Sequence, residues 1–251
     1  MMNVLVTGAS SGIGKSMAFY LLELGYNLYV VSTDKNDLDS IFKKYKDRVF
    51  TIGIDLSFAD NCYKLYDILK DKKIDILVNN AGFGDAGNFS ETNLNKELRM
   101  MDVNIRAYHI LTKLFLRDMI KNNKGYILNV CSMAGFMPGP YMATYYATKS
   151  YILNLTLAIS KEIERDNSNV KISLFCPGPV NTNFSSIANV KFNTLVIDSD
   201  YAARYAIDNM FNNKLVIIPP NMKLNYFFMR ISPLSLVLFF NSKIQKRIDK
   251  I

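Results

Sequence analysis

Tyr145 and Lys149 stand four residues apart in an apolar-rich run with helical spacing, Ala143–Asp166. On a helix, residues at that spacing project from one face. A free phenol titrates near a pKa of about 10 and is a poor base at neutral pH. A nearby ammonium favours the phenolate and lowers that value. The pair is then a tunable general acid–base, the equipment that carbonyl–alcohol interconversion needs. Standing alone, Tyr-x-x-x-Lys more often reads as an aromatic packed beside a solvated lysine. Ser132, thirteen residues upstream at the end of an apolar run, tips the reading to chemistry. Tyr146 is not the alternative acid, because Ser150 stands four residues after it.

A second feature lies at the N-terminus. Thr7-Gly8-Ala9-Ser10-Ser11-Gly12-Ile13-Gly14 separates a short apolar run from a helical one. Glycines there let the backbone turn tightly and approach a pyrophosphate, which sits at the helix N-terminus. A tight turn with no ligand is the plainer alternative. Its place in a first strand–turn–helix unit favours the phosphate cradle.

These groups need a frame. Strands are predicted over Asn3–Thr7, Asn27–Ser32, Val49–Ile54, Ile74–Asn79, Gly125–Cys131, Lys171–Cys176 and Lys214–Ile218. Each is a near-continuous apolar run, as parallel strands covered on both faces require. Helices are predicted over Lys15–Leu24, Cys62–Lys70, Leu94–Lys121, Ala143–Asp166 and Ser199–Asn212. That alternation predicts an α/β fold with a doubly wound parallel sheet. The 251 residues suit one large domain, and a hydrophobic content of 49% excludes disorder. Three cysteines without a CxxC pair argue against a disulfide framework or zinc knuckle, and a lone histidine excludes chemistry that needs two. No secretory signal is visible at the N-terminus, so a cytoplasmic location is expected, with no metal.

Taken in order, the motifs resemble the short-chain dehydrogenase/reductase family over roughly the first 220 residues. The glycine motif is Thr7–Gly14. The acidic position that meets the adenine is Asp55, followed by Leu56. The motif after the fourth strand is Asn79-Asn80-Ala81-Gly82. A helix-borne asparagine is Asn104, followed by Ser132, then Tyr145 and Lys149. Pro177-Gly178-Pro179-Val180-Asn181-Thr182 closes the series. The resemblance implies a Rossmann-type sheet of about seven strands with a C-terminal helical extension. It implies that Tyr145 exchanges a proton with the substrate oxygen and that Ser132 polarises the carbonyl. Lys149 lowers the tyrosine pKa and bonds the nicotinamide ribose, and Asn104 holds a water in a proton relay. The cofactor would lie against Gly8, Ser10, Ser11, Gly12, Ile13, Gly14, Thr33, Asp55, Leu56, Asn80, Ala81, Gly82, Tyr145, Lys149, Pro177, Gly178, Val180 and Thr182. Thr182 is expected at the carboxamide. Thr33 replaces the acid that usually bonds an NAD ribose after the second strand. NADP(H) is therefore favoured, with NAD(H) left open and Asp34 one step from the key position.

Phe136, Met137, Tyr141 and Met142 are expected to line the substrate cleft. The segment 183–198, with Phe184, Ile187, Val190 and Phe192, is expected as its lid. An aromatic and Met-rich wall suits an apolar carbonyl or alcohol. The resemblance also implies a homodimer or homotetramer. Net charge is +8, and residues 222–251 hold six basic side chains against Asp249 alone. The domain division expected is 1–221 and 222–251. Arg230 and Pro233 interrupt the apolar tail, so a membrane span is not expected. Ile244, Ile248 and Ile251 share one face of a basic amphipathic stretch with Lys243, Lys246, Arg247 and Lys250. It would either pack over the cleft or a second subunit, or touch an anionic membrane peripherally. Two other classes compete: a non-catalytic nucleotide sensor or scaffold on the same fold, and a nucleic-acid binder. The sensor usually lacks the tyrosine or lysine, and no nucleic-acid recognition motif is present.

Overall fold

The computed structural model describes residues 1–190 and 196–245, with the side chains of 244 and 245 left aside. Seven parallel strands form one sheet: β1 (Asn3–Thr7), β2 (Asn27–Ser32), β3 (Val49–Gly53), β4 (Ile74–Asn79), β5 (Tyr126–Val130), β6 (Lys171–Phe175) and β7 (Val216–Ile217). Their order is β3-β2-β1-β4-β5-β6-β7. The order reverses between β1 and β4, which opens a crevice beyond their carboxyl ends. Every strand expected from sequence is present, with β7 trimmed to two residues.

Helices cover both faces because the strands are apolar on both. Val4 and Val6 point to the side of α1 (Gly12–Glu23) and α8 (Ser199–Phe211), meeting Met17, Leu21 and Ala206. Leu5 points the other way, to α3 (Ala59–Leu69) and α5 (Tyr108–Lys121), meeting Leu65 and Leu111. This is the two-residue alternation of a pleated strand with both sides buried. A buried amide chain crosses the layers. Asn79 Nδ2 donates to Thr112 Oγ1 at 3.0 Å and to Asn129 Oδ1 at 2.9 Å, and Asn129 Nδ2 donates to Thr156 Oγ1 at 2.9 Å.

Two helical features depart from expectation. The short α2 (Lys35–Ile41) follows β2, started by Asp34, whose carboxylate accepts from Asn36 N at 2.8 Å. The long helix expected over 94–121 is split. α4 (Leu94–Met101) runs into a π-helical turn, Asp102–Ala107, before α5. Such single-turn widenings concentrate at functional positions, and this one carries Asn104. α6 (Ala143–Arg165) then presents Tyr145 and Lys149. Beyond β6 come α7 (Phe184–Ile187) and, past β7, α9 (Lys223–Ile231) and α10 (Leu234–Gln245). No helix among the described residues is long and apolar enough to cross a membrane. Phe192 of the expected lid, and the 246–251 end of the expected amphipathic stretch, lie outside the described residues, as does the side chain of Ile244.

Candidate active site

The crevice forms from the turn after β1. Gly8 has φ +67°, a left-handed conformation that glycine adopts without strain. A Cβ on Gly14 would fall 2.3 Å from Asn80 Nδ2 and from the Gly8 carbonyl. The turn is therefore built around absent side chains. Asn80 clamps it: Nδ2 donates to the Thr7 and Gly8 carbonyls at 3.0 and 3.1 Å. Thr7 Oγ1 accepts from the backbone N–H of Asn80 and of Ala81. At the start of α1, Ser11 makes no side-chain cap and the first turn holds no acid. Orphan N–H groups and the positive end of the helix dipole thus face the crevice, which is what a pyrophosphate requires. The residues present fit the nucleotide cofactor implied by the resemblance.

The cleft has a volume of about 960 Å³. Of the expected cofactor residues, Gly8, Ser10, Ser11, Gly12, Ile13, Asn80, Ala81, Gly82, Pro177, Gly178, Val180 and Thr182 line it, together with Ser132, Tyr145 and Lys149. Thr182 also braces the turn, since its methyl carbon lies 2.9 Å from where a Gly12 Cβ would stand. Gly14 sits beneath the wall and Leu56 is buried. Thr33 is exposed at the carboxyl end of β2. Asp55 borders a separate hollow of about 450 Å³ with Phe58, Arg99 and Arg106. Its carboxylate accepts from Ser57 N and from Arg99, both at 2.9 Å. Burial raises its pKa, but the Ser57 bonds and Arg99 outweigh that, leaving it below the usual value.

Tyr145 is 9% exposed and Lys149 4%. The amine donates to the Val130 carbonyl at 3.0 Å and lies 5.8 Å from the Tyr145 ring centroid. An ammonium carries three donors, and Val130 is the one acceptor it has among the described residues. Tyr108 Oη donates to the same carbonyl at 3.1 Å. Burial lowers the Lys149 pKa, against the pull of Cys131 and Cys176. The expected lowering of the Tyr145 pKa is not found. Burial pushes the phenol well above its usual range, and the Ser132 hydroxyl beside it pulls the other way. The ring packs at 5.2 Å from Phe184, which helps to exclude water.

Asn104 is fully buried behind this group and does not line the cleft. Its Oδ1 accepts from Phe83 N at 3.1 Å, and Nδ2 donates to the Phe83 carbonyl at 2.9 Å and to Thr148 Oγ1 at 3.1 Å. Both amide protons are used, so the side chain ties the loop after β4 to α6.

On the substrate side Met137 and Met142 line the cleft, as do Phe184 and Ile187. Phe136 and Tyr141 do not. Phe136 packs at 4.8 Å against Tyr226 of α9. Tyr141 adopts φ +63°, and its carbonyl accepts from Gly87 N. Much of the remaining wall comes from the C-terminal segment: Met222, Asn225, Phe228, Met229, Leu236 and Phe240. Asn241, the one buried residue described in α10, fastens that helix by donating to the Pro138 carbonyl at 3.0 Å. Sequence reading offered a helix over the cleft as one alternative for this tail, without naming these residues. Tyr108 was missed, though it stands four residues after Asn104.

Comparison with known proteins adds three findings. The family model described as short chain dehydrogenase matches residues 2–191. A very-long-chain 3-oxoacyl-CoA reductase from Phaeosphaeria nodorum is 36% identical over 64% of the chain, and the chain spans about half (50%) of that relative's length. Among solved structures, a short-chain dehydrogenase from Sphingobium yanoikuyae in complex with NADPH superposes with a TM-score of 0.84 at 25% identity, covering 100% of this chain and 96% of that one. The bulky-bulky ketone specific alcohol dehydrogenase from Comamonas testosteroni gives 0.78 at 26% identity, covering 100% and 95%.

Proposed function

The chain belongs to the short-chain dehydrogenase family, and from that premise we propose that it is an NAD(P)(H)-dependent oxidoreductase, an NADPH-preferring reductase of an apolar ketone or aldehyde. The carrying observation is that one cleft brings Ser132, Tyr145 and Lys149 together with an uncapped helix N-terminus. The cofactor, when bound, supplies the hydride. The chain's residues handle the rest. Tyr145, held protonated by burial, gives its proton to the carbonyl oxygen. Ser132 donates a hydrogen bond to that oxygen and stabilises the charge that develops on it. Lys149 turns its remaining donors to the ribose hydroxyls. Asn104 holds the Phe83 loop and α6 in register as a positioning residue.

The preference for NADPH is supported at the end of β2. Ser32 Oγ donates to the Asp34 carbonyl, and one Asp34 carboxylate oxygen caps α2 by accepting from Asn36 N. The position after Ser32 thus carries the Thr33 hydroxyl rather than a carboxylate, and Thr33 and Ser11 stay exposed. Met137, Met142, Phe184 and Phe228 support an apolar substrate, and the chain divides as 1–221, which holds the chemistry, and 222–251, whose described helices complete the substrate wall. Tyr145→Phe is expected to abolish carbonyl reduction while NADPH still binds. Near-normal turnover in that variant would overturn the mechanism.

A further inference from the structure

α9 is apolar on two faces. Tyr226 and Met229 pack inward against the core near Phe136. Leu224, Phe227, Phe228 and Ile231 recur at helical spacing on the outside, and all are exposed, Phe227 at 57% and Ile231 at 61%. α10 continues the surface with Leu234, Leu236, Leu238, Phe239 and Phe240. A helix apolar all round needs a second apolar environment, and a patch of this kind marks an interaction site.

Charge decides which environment. Residues 222–245 contain Lys223, Arg230 and Lys243 and no acidic side chain. All three cations are exposed, and Lys243 Nζ lies 4.2 Å from the Phe239 ring centroid. A second copy docked here would bring six cations together with no acid from this region to answer them. An anionic bilayer supplies both halves of the match: acyl chains for the apolar stripe and headgroup charge for the cations.

The patch is also continuous with the cleft. Phe228, Leu236 and Phe240 are exposed and line the cavity as well. Leu224, Phe227, Ile231, Leu234 and Phe239 are exposed and do not. We propose that the outer face of α9 and α10 seats on an anionic membrane and that the substrate is a carbonyl compound dissolved in that membrane, entering the cleft between these helices. The substrate half of this rests on the reductase reading above; the seating half does not.

The test is flotation of the full chain with vesicles of phosphatidylcholine alone or mixed equally with phosphatidylglycerol. Most of the protein is expected to float with the anionic vesicles and little with the neutral ones. The triple variant Phe227→Ser, Ile231→Ser, Phe239→Ser is expected to float several-fold less, with cofactor binding and reduction of a short water-soluble ketone unchanged. Its kcat/KM for a long-chain ketone held in anionic vesicles should fall several-fold. If the triple variant misfolds, Phe227→Ser alone carries the same comparison. Failure of the wild type to float with anionic vesicles would overturn the proposal. So would a dimer in sedimentation velocity that the variant dissociates, which would make the face an interface between copies. Flotation without turnover of any carbonyl would refute the reductase reading and leave the seating standing.

Discussion

Lys149→Met should make the protein more stable while disabling it. Lys149 is 4% exposed, and the one acceptor its ammonium has among the described residues is the neutral Val130 carbonyl at 3.0 Å. No carboxylate among the described residues answers its charge, and burying an ion costs several kcal/mol after relaxation. A hydrogen bond to a charged group returns about 1.5–3 kcal/mol of that. Removing the amine does not orphan the carbonyl, because Tyr108 still donates to it at 3.1 Å. Methionine keeps the length of the lysine stem and adapts to the space. The net gain is about 1–3 kcal/mol, or a Tm rise of about 2–10 °C for a domain of this size. Turnover should fall by about 100-fold or more as the acid–base pair is lost.

The pH dependence of that gain has a fixed sign. Burial holds the folded-state Lys149 pKa below the ordinary lysine value. Between the lowered value and about 10.4, the unfolded chain binds more protons than the folded one. Wild-type stability therefore rises with pH through that window. The methionine variant lacks the group, so its advantage is full below that window and narrows as pH climbs through it. Calorimetric melting of both proteins from pH 7 upward measures it. A variant that melts lower than wild type at pH 7, or an advantage that grows with pH, would refute the reasoning.

Asn80→Ala removes two bonds that clamp the glycine turn, worth about 1–3 kcal/mol together. NADPH binding should weaken by about 5–100-fold in titration calorimetry with kcat little changed, and an unchanged Kd would remove the clamp. Tyr145 is held above the usual phenol pKa by burial, so it stays protonated through the neutral range. Reduction should thus be level across neutral pH and decline only in strong alkali, while alcohol oxidation rises with pH; a reduction rate falling near pH 7 would contradict this.

The sheet was legible because its strands are buried on both faces and leave near-unbroken runs such as Asn27–Ser32. The catalytic face was legible because Tyr145 and Lys149 obey helical spacing within one element. What stayed hidden depends on contacts between distant segments. The π-helical turn at Asn104 leaves the apolar period almost unchanged, so 94–121 reads as one helix. The sign of the Tyr145 shift is set by burial, to which segments as distant as Phe184, 39 residues away and packed on the ring, contribute. Asp55 meets Arg99 across 44 residues, a pairing its local motif does not announce. Lys35–Ile41 is too short and polar to signal a helix until Asp34 is seen to cap it.

The fastening of α10 has a consequence for timing. The catalytic floor is carried by α6 and the end of β5, both packed into buried clusters, and opens only when that core does. α10 has one buried described residue, Asn241, whose amide donates to the Pro138 carbonyl and the Met137 sulfur of one neighbouring loop. Helices with so few buried contacts open at a small fraction of the global unfolding free energy. The two walls of the cleft therefore run on different clocks: the proton-transfer geometry persists for the lifetime of the fold, while the substrate wall can part and reclose many times within it. Substrate exchange is then set by a segment whose opening leaves the chemistry assembled.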